Sequence, residues 1–213
     1  MKKIITVLLS LLFTVNAKAT DISQYQVSIT NATTHHVFTP ALIVTHRSST
    51  SLFTTGQPAS DGLILQAETG DPSLLLAETQ ARHGTYDTLI GSFIAYGQQA
   101  SYIISAAKKS HLSLTAMLAT SNDAFVALNN VALPDKSVTY YAHVYDAGSE
   151  TNNEDCAFIP GPPCAEASGN ARSTDNEGFI SLHNGIHGIA SLNAHELDWR
   201  GPVAIVTIKR LKH

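Results

Sequence analysis

The chain has 213 residues, of which 44% are hydrophobic and 14% charged, a balance that fits one folded domain or two small ones and excludes a disordered chain. Its 13 Lys and Arg stand against 17 Asp and Glu, a net charge of −4. No cluster of Lys and Arg exceeds two or three residues, so a general binder of nucleic acid or anionic membrane, which needs a basic face, is not expected.

Met1-Lys2-Lys3 is a short positive head, and Ile4 to Val15 is a mostly apolar run, shorter than the ~20 residues a membrane-spanning helix needs. Ala17-Lys18-Ala19 then places small residues at the two positions a signal peptidase reads. Residues 1–19 are expected to be a cleaved secretory signal rather than an anchor, leaving a single soluble, exported domain over residues 20–213. Loss of Lys2, Lys3 and Lys18 would take the basic count from 13 to 10 and the net charge from −4 to −7.

Along the exported part most signals are those of strands. Tyr25 to Thr30 alternates apolar and polar residues, the period of a half-buried strand. Ala41 to Thr45 follows Pro40 and is β-rich. Ser60-Asp61 can cap a helix through Leu63, Ile64 and Ala67, and Asp71-Pro72 reads as an N-cap with proline in the first helical position, leading into Leu74 to Ala81. Tyr102 to Ser105 and Leu112 to Leu118 are further strands. In Ser137 to Tyr145, Val138, Tyr140, Ala142 and Val144 alternate with Thr139, Tyr141, His143 and Tyr145. Gly148 to Gly178, rich in Gly, Pro, Asn, Ser and Glu, reads as a long excursion on a rigid frame, and Val203 to Leu211 closes the chain with a strand. An antiparallel β-sandwich with small helical insertions fits this pattern.

Within the excursion lie the two cysteines, in Cys156-Ala-Phe-Ile-Pro-Gly-Pro-Pro-Cys164. An even count, a short separation and an oxidising compartment favour a disulfide. Pro160, Pro162 and Pro163 stiffen the turn that brings the sulfurs together. The spacing is unlike that of a zinc motif.

Two constellations can carry chemistry. The first is acidic: Asn122-Asp123 follows one strand, Asp146-Ala-Gly-Ser-Glu150 follows another, and Asn152, Asn153, Glu154 and Asp155 come next. Calcium takes several oxygens from carboxylates, amides and backbone carbonyls, and loops at one end of a sandwich can supply them; the alternative is solvated loop acids and turn formers. The second is imidazole: His183-Asn-Gly-Ile-His187-Gly, with His46 after a strand and the pair His35-His36. His46, His183 and His187 could form a copper, zinc or nickel site, or simply hydrogen-bond the backbone and hold loops in place. No Glu follows His183 as a metalloprotease base would, and there is no Gly-x-Ser-x-Gly elbow and no phosphate loop. No catalytic residue is assigned and no enzyme activity is expected; Trp199, in Asp198-Trp199-Arg200, reads as a core or lid aromatic.

Four segments in order, Gly56-Gln-Pro-Ala-Ser-Asp-Gly-Leu63, Ala116 to Leu128, Tyr145-Asp-Ala-Gly-Ser-Glu150 and Pro202 to Val206, resemble the spondin domain, the N-terminal module of F-spondin and mindin. Secreted bacterial single-domain members are more similar still, with Phe38-Thr-Pro-Ala41 leading to Thr45-His46, the proline loop between the cysteines and the His183 turn. The resemblance extends from about Tyr25 to Leu211. It implies a β-sandwich of about eight antiparallel strands and a calcium ion held by acidic loops at one end. The ligand positions fall on Asp123, Asp146 and Glu150, with Asn122 a further oxygen donor. Asn122 stands where animal members have proline, and Glu150 where they have aspartate. The implied function is a secreted or periplasmic binding module for adhesion or surface association, its partner a protein or a surface or matrix ligand. The other readings are a His-based copper or zinc protein of the envelope and a metal-free structural envelope protein. No nucleic-acid partner and no membrane span are expected.

Overall fold

The computed structural model describes residues 21–164 and 175–212, so the expected signal segment lies outside the described residues. Among the described residues nine strands form one antiparallel sheet that bends back on itself: β1 (Ile22–Asn31), β2 (Leu42–His46), β3 (Thr85–Ile90), β4 (Gln99–Ala107), β5 (His111–Met117), β6 (Ala124–Ala132), β7 (Ser137–Asp146), β8 (Ser181–Leu182) and β9 (Ala204–Arg210). The order is β3-β2-β5-β6-β7-β9-β1-β4, with β8 beside the end of β7. β7 is the corner. Its Ser137–Ala142 half pairs with β9 and its His143–Asp146 half pairs with β6, so one strand belongs to both halves of the sandwich.

The two outer strands of this order, β3 and β4, come back toward each other. Side chains stitch the seam: Ser105 N–H donates to Asp87 Oδ2 at 2.9 Å, and Thr45 Oγ1 donates to the Ser105 carbonyl at 2.6 Å. The sheet is thus nearly closed, which shields edges that would otherwise be open to pairing.

Between the halves lies the main core. Tyr25, Val27 and Ile29 of β1 point inward at the strand period, and Leu112, Leu114, Val126, Val144, Val206 and Ile208 meet them from the other strands. A second core covers the opposite face of β2, β5 and β6. There Leu63 and Ala67 of α1 (Asp61–Thr69) and Leu75 of α2 (Ser73–Gln80) pack with Leu42, Val44, Phe53 and Phe125. This second layer explains why β2 is buried at all five positions.

The helix signals hold, with one change of position. Ser60 Oγ caps α1 by accepting from Leu63 N–H, and the N-terminus of α1 is held a second time by Glu78 of α2, which accepts from Gly62 N–H at 2.7 Å. Gly62 sits so close to α2 that a Cβ would come within 2.6 Å of the Leu75 backbone. Asp71 does accept from a helical N–H, that of Ser73 at 2.9 Å, but Pro72 stands at the cap position rather than inside α2.

The bridge Cys156–Cys164 is formed, with the Cα atoms 4.8 Å apart. Around it Ile159, Ile186, Leu192 and Leu197, the last in the short helix α3 (Ala194–Leu197), make a small third core under the loops. No helix among the described residues is long and apolar enough to cross a membrane.

Candidate functional site

Antiparallel register brings the acidic segments together. Ala124 pairs with Asp146, which sets Asp123, just before β6, beside the end of β7. The Asp123 carbonyl accepts from Ala147 N–H, and Asp146 Oδ1 turns back to accept from Gly148 N–H at 2.6 Å. Gly148 has φ +68°, and a Cβ there would lie 2.2 Å from the Phe179 carbonyl oxygen. The glycine of Asp146-Ala-Gly148 is therefore required both by backbone conformation and by space.

Asp123 is fully buried. Its Oδ2 accepts from Ser149 N–H at 2.8 Å, Ser149 Oγ at 3.1 Å and Glu150 N–H at 3.1 Å, while Oδ1 is buried with no hydrogen-bond partner. Burial, and after it the charge of Asp146, push the Asp123 carboxyl up to about 7. Burial also raises Asp146, against the hydrogen bonds it accepts from Gly148 and Asn152. Two neighbouring carboxylates in a poorly solvated place disfavour each other's ionisation unless a proton or a cation intervenes.

The imidazole constellation is joined to this pair through Asn152. His183 Nδ1 accepts from Gly185 N–H at 3.0 Å, which leaves Nε2 as the donor to Asn152 Oδ1 at 2.9 Å. Asn152 Nδ2 in turn donates to Asp146 Oδ2. Burial, followed by the neighbouring His187 and His36, lowers the His183 pKa to about 4, so the ring is neutral. Trp199 is wedged between two imidazoles, with ring centroids 5.0 Å from His183 and 5.1 Å from His36.

Glu154 is the second organiser of this end. It is buried at φ +56°, and its carboxylate accepts from the backbone N–H groups of His187 and Ile189, the latter at 2.9 Å. Its own N–H is received by Asn122 Oδ1, and Asn122 Nδ2 donates to Asn153. The amide of Asn122 is thus engaged in holding the loop. Ser121, Asn122, Asn152, Glu154, His183 and His187 line a cleft of about 60 Å³. That is room for an ion or one or two waters, far below the ~300 Å³ of a small-molecule site.

The expected residues divide by place. Asp123, Asp146, Glu150 and Asn122 all lie at this end, yet Glu150 reaches Asp123 through its backbone N–H. Among the described residues no three His, Cys, Asp or Glu side chains converge as a ready metal cage. His183 and His187 line the same cleft, but His46 ends β2 beside His111, at the far end of the strands. There it is buried, bonded to Ser113 Oγ and the Arg47 carbonyl, both at 2.8 Å. The structure therefore does not bring His46, His183 and His187 together, because β2 carries His46 away from the loops. The Asn152 link and the clamp by Glu154 had no spacing signature in the sequence, since both depend on a loop folding back over 30 residues or more.

Residues 22–153 match the family described as Spondin_N. The matched span carries β1 to β7, Asp123, Asp146, Glu150 and Asn152, and it stops before the disulfide loop, the His183 turn and β9, all of which the resemblance seen in the sequence had included. No curated protein matches the chain closely enough to add a relative. With more than half of the chain matched, the protein belongs to the Spondin_N family, whose domains are extracellular, non-enzymatic binding modules.

Proposed function

We propose that this is a secreted or periplasmic spondin-domain module for adhesion or surface association, with a calcium ion organising its loop end. The observation that carries the reading is the buried Asp123 Oδ1, which has no hydrogen-bond partner, next to the Asp146 carboxylate. Oxygen donors fit a hard cation, and a cation there would offset both the burial of the Asp123 carboxylate, the main cause of its rise, and its repulsion by Asp146. Asp123 and Asp146 supply the carboxylates in this reading. Glu150, Asn122 and backbone carbonyls of the same loops are its remaining oxygen donors. The ion would fix the loops that present a protein or a surface or matrix ligand to the outside.

Elemental analysis of purified protein before and after chelation is the direct test, together with thermal melts. An ion that binds only the folded state stabilises it by about 2.7 kcal/mol at a hundredfold excess over Kd. Calcium should raise the Tm by several degrees, and Asp146→Ala should abolish most of that rise. A calcium-insensitive melt that shifts with copper or zinc, and loses that shift in His183→Ala, would replace this reading with an imidazole site.

A further inference from the structure

Lys and Arg are scattered along the chain, yet the fold collects six of them at the end of the sheet opposite Asp123 and Asp146. Lys136 immediately precedes β7, Lys209 and Arg210 end β9, Lys212 follows, and Lys108 and Lys109 form the turn after β4. β7 is ten residues long, so at about 3.3 Å per residue it holds this basic end some 30 Å from the acidic one. The strands concerned are successive neighbours, β7-β9-β1-β4. Their ends therefore set the cations in a row spanning three strand spacings, about 14 Å.

Within that row lies an open groove lined by Asp135, Lys136, Lys209, Arg210, Leu211 and Lys212, with Ser137 at its edge. Backbone hydrogen bonds from Arg210 to the Lys136 carbonyl, 2.8 Å, and from Leu211 to the Gln24 carbonyl, 2.9 Å, make its floor rigid. Arg210 is half-buried and positioned by a bond to Ser23 Oγ at 2.7 Å. Lys136, Lys209 and Lys212 are exposed, as are Lys108 and Lys109 beside the groove. None of these six cations forms an ion pair with another described residue; the described ion pairs are those of Arg82 and Arg200. Asp135 is the single carboxylate of the lining, and Asp21 lies near Lys108. Four cations against one carboxylate leave a strong positive potential in a protein of net charge −4.

We propose that this groove binds a linear anionic polysaccharide, one bearing repeated sulfate or carboxylate groups. The lining offers one apolar side chain, Leu211, and no aromatic ring. It thus has neither a wedge for lipid nor a platform for stacking bases. A row of flexible lysines around a fixed arginine suits repeated anions on a polymer better than one compact anion. This deepens the binding-module reading by naming a partner class. It does not depend on calcium, since the two ends of the sheet are separate.

The test is titration calorimetry with heparin oligosaccharides of graded length as the sulfated probe and polygalacturonate as the carboxylated one. Affinity should grow with chain length until the groove is spanned. It should fall at least tenfold between about 50 and 200 mM salt, because bound cations release counterions from the polymer. The double variant Lys136→Ala/Lys209→Ala, both exposed positions, should weaken binding about tenfold or more, while Arg200→Ala at the other end and added chelator should leave it unchanged. Four results would overturn the proposal: no binding at 50 mM salt, equal loss in Arg200→Ala, tighter binding to duplex DNA or phosphatidylglycerol vesicles than to either glycan, or salt-sensitive self-association that accounts for the groove without any glycan. None of these bears on the calcium site, whose test is the melt.

Discussion

Asp123 and His183 are two buried titratable groups whose protons act on stability in opposite directions. Asp123 rises from 3.8 to about 7 on burial beside Asp146, so without a cation the folded protein holds a proton that the unfolded chain releases. The stability this proton contributes is complete below about pH 4 and is lost as the pH rises toward 7. His183 falls from 6.5 to about 4. The unfolded chain then binds a proton that folded His183 refuses, so its contribution is complete above about pH 6.5 and is lost as the pH falls toward 4. In chelator-treated protein Asp123→Asn should give a Tm that climbs more steeply with pH between 4 and 6.5 than wild type. His183→Gln should give one that falls with pH over that range. Superimposable Tm–pH profiles for the three proteins would show that neither group titrates as its surroundings require. Glu154→Gln tests the loop clamp separately. An amide can accept from only one of the two backbone N–H groups now bound, so stability should drop by about 2 kcal/mol in denaturant melts.

Among the elements, β6 shows how layers set the reading. Its first five residues, Ala124 to Leu128, are buried on both faces, and Phe125 packs edge-on to Phe53 at 5.2 Å and against Tyr145 at 5.7 Å. A strand covered on both sides has no alternation of apolar and polar residues, and Asn129-Asn130 interrupts its end, so its sequence carries no period-two signal. β3 hides for the opposite reason: it is partly exposed throughout and carries one Asp and two Thr. By contrast β1 and β7, with one face inward, were legible residue by residue, and both are one or a few residues longer in the fold than the alternation suggests. Phe125→Ala should cost ~3–5 kcal/mol, the range for truncating a core aromatic. Tyr141→Ser, on the exposed face of β7, should stay within ~0.5 kcal/mol. Equal losses in urea melts would contradict the second core.

The domain as a unit has a rigid sheet with unlike ends. At one end, loops are held by the Asn152 link, the Glu154 clamp and the Cys156–Cys164 bridge; at the other, short turns carry lysines. Replacing both cysteines by serine should cost ~2–3 kcal/mol by the chain-entropy relation for so short a loop. Amide exchange should then accelerate around residues 152–164 and 183–198, with β1, β5 and β9 still protected. Uniform acceleration across the sheet would mean that the bridge supports the whole domain rather than its loop end.

The sequence by itself determined the strands with one buried face, the capped helices, the cysteine pair and the acidic motif around Asp146-Ala-Gly148, because each is written in neighbouring residues: a period, a cap, a spacing, a glycine. Tertiary structure alone decided which distant residues meet. It parted His46 from His183 and His187, since a five-residue strand carries His46 to the other end. It tied the two constellations into one chain of hydrogen bonds through Asn152, where the sequence had offered them as rivals. And it gathered Lys108, Lys109, Lys136, Lys209, Arg210 and Lys212 from three turns and strand ends into the basic face that no run of Lys and Arg announced. Charge adds over space, and antiparallel strands return every second connection to the same end, so residues as far apart in sequence as Lys108 and Lys212 can build one field.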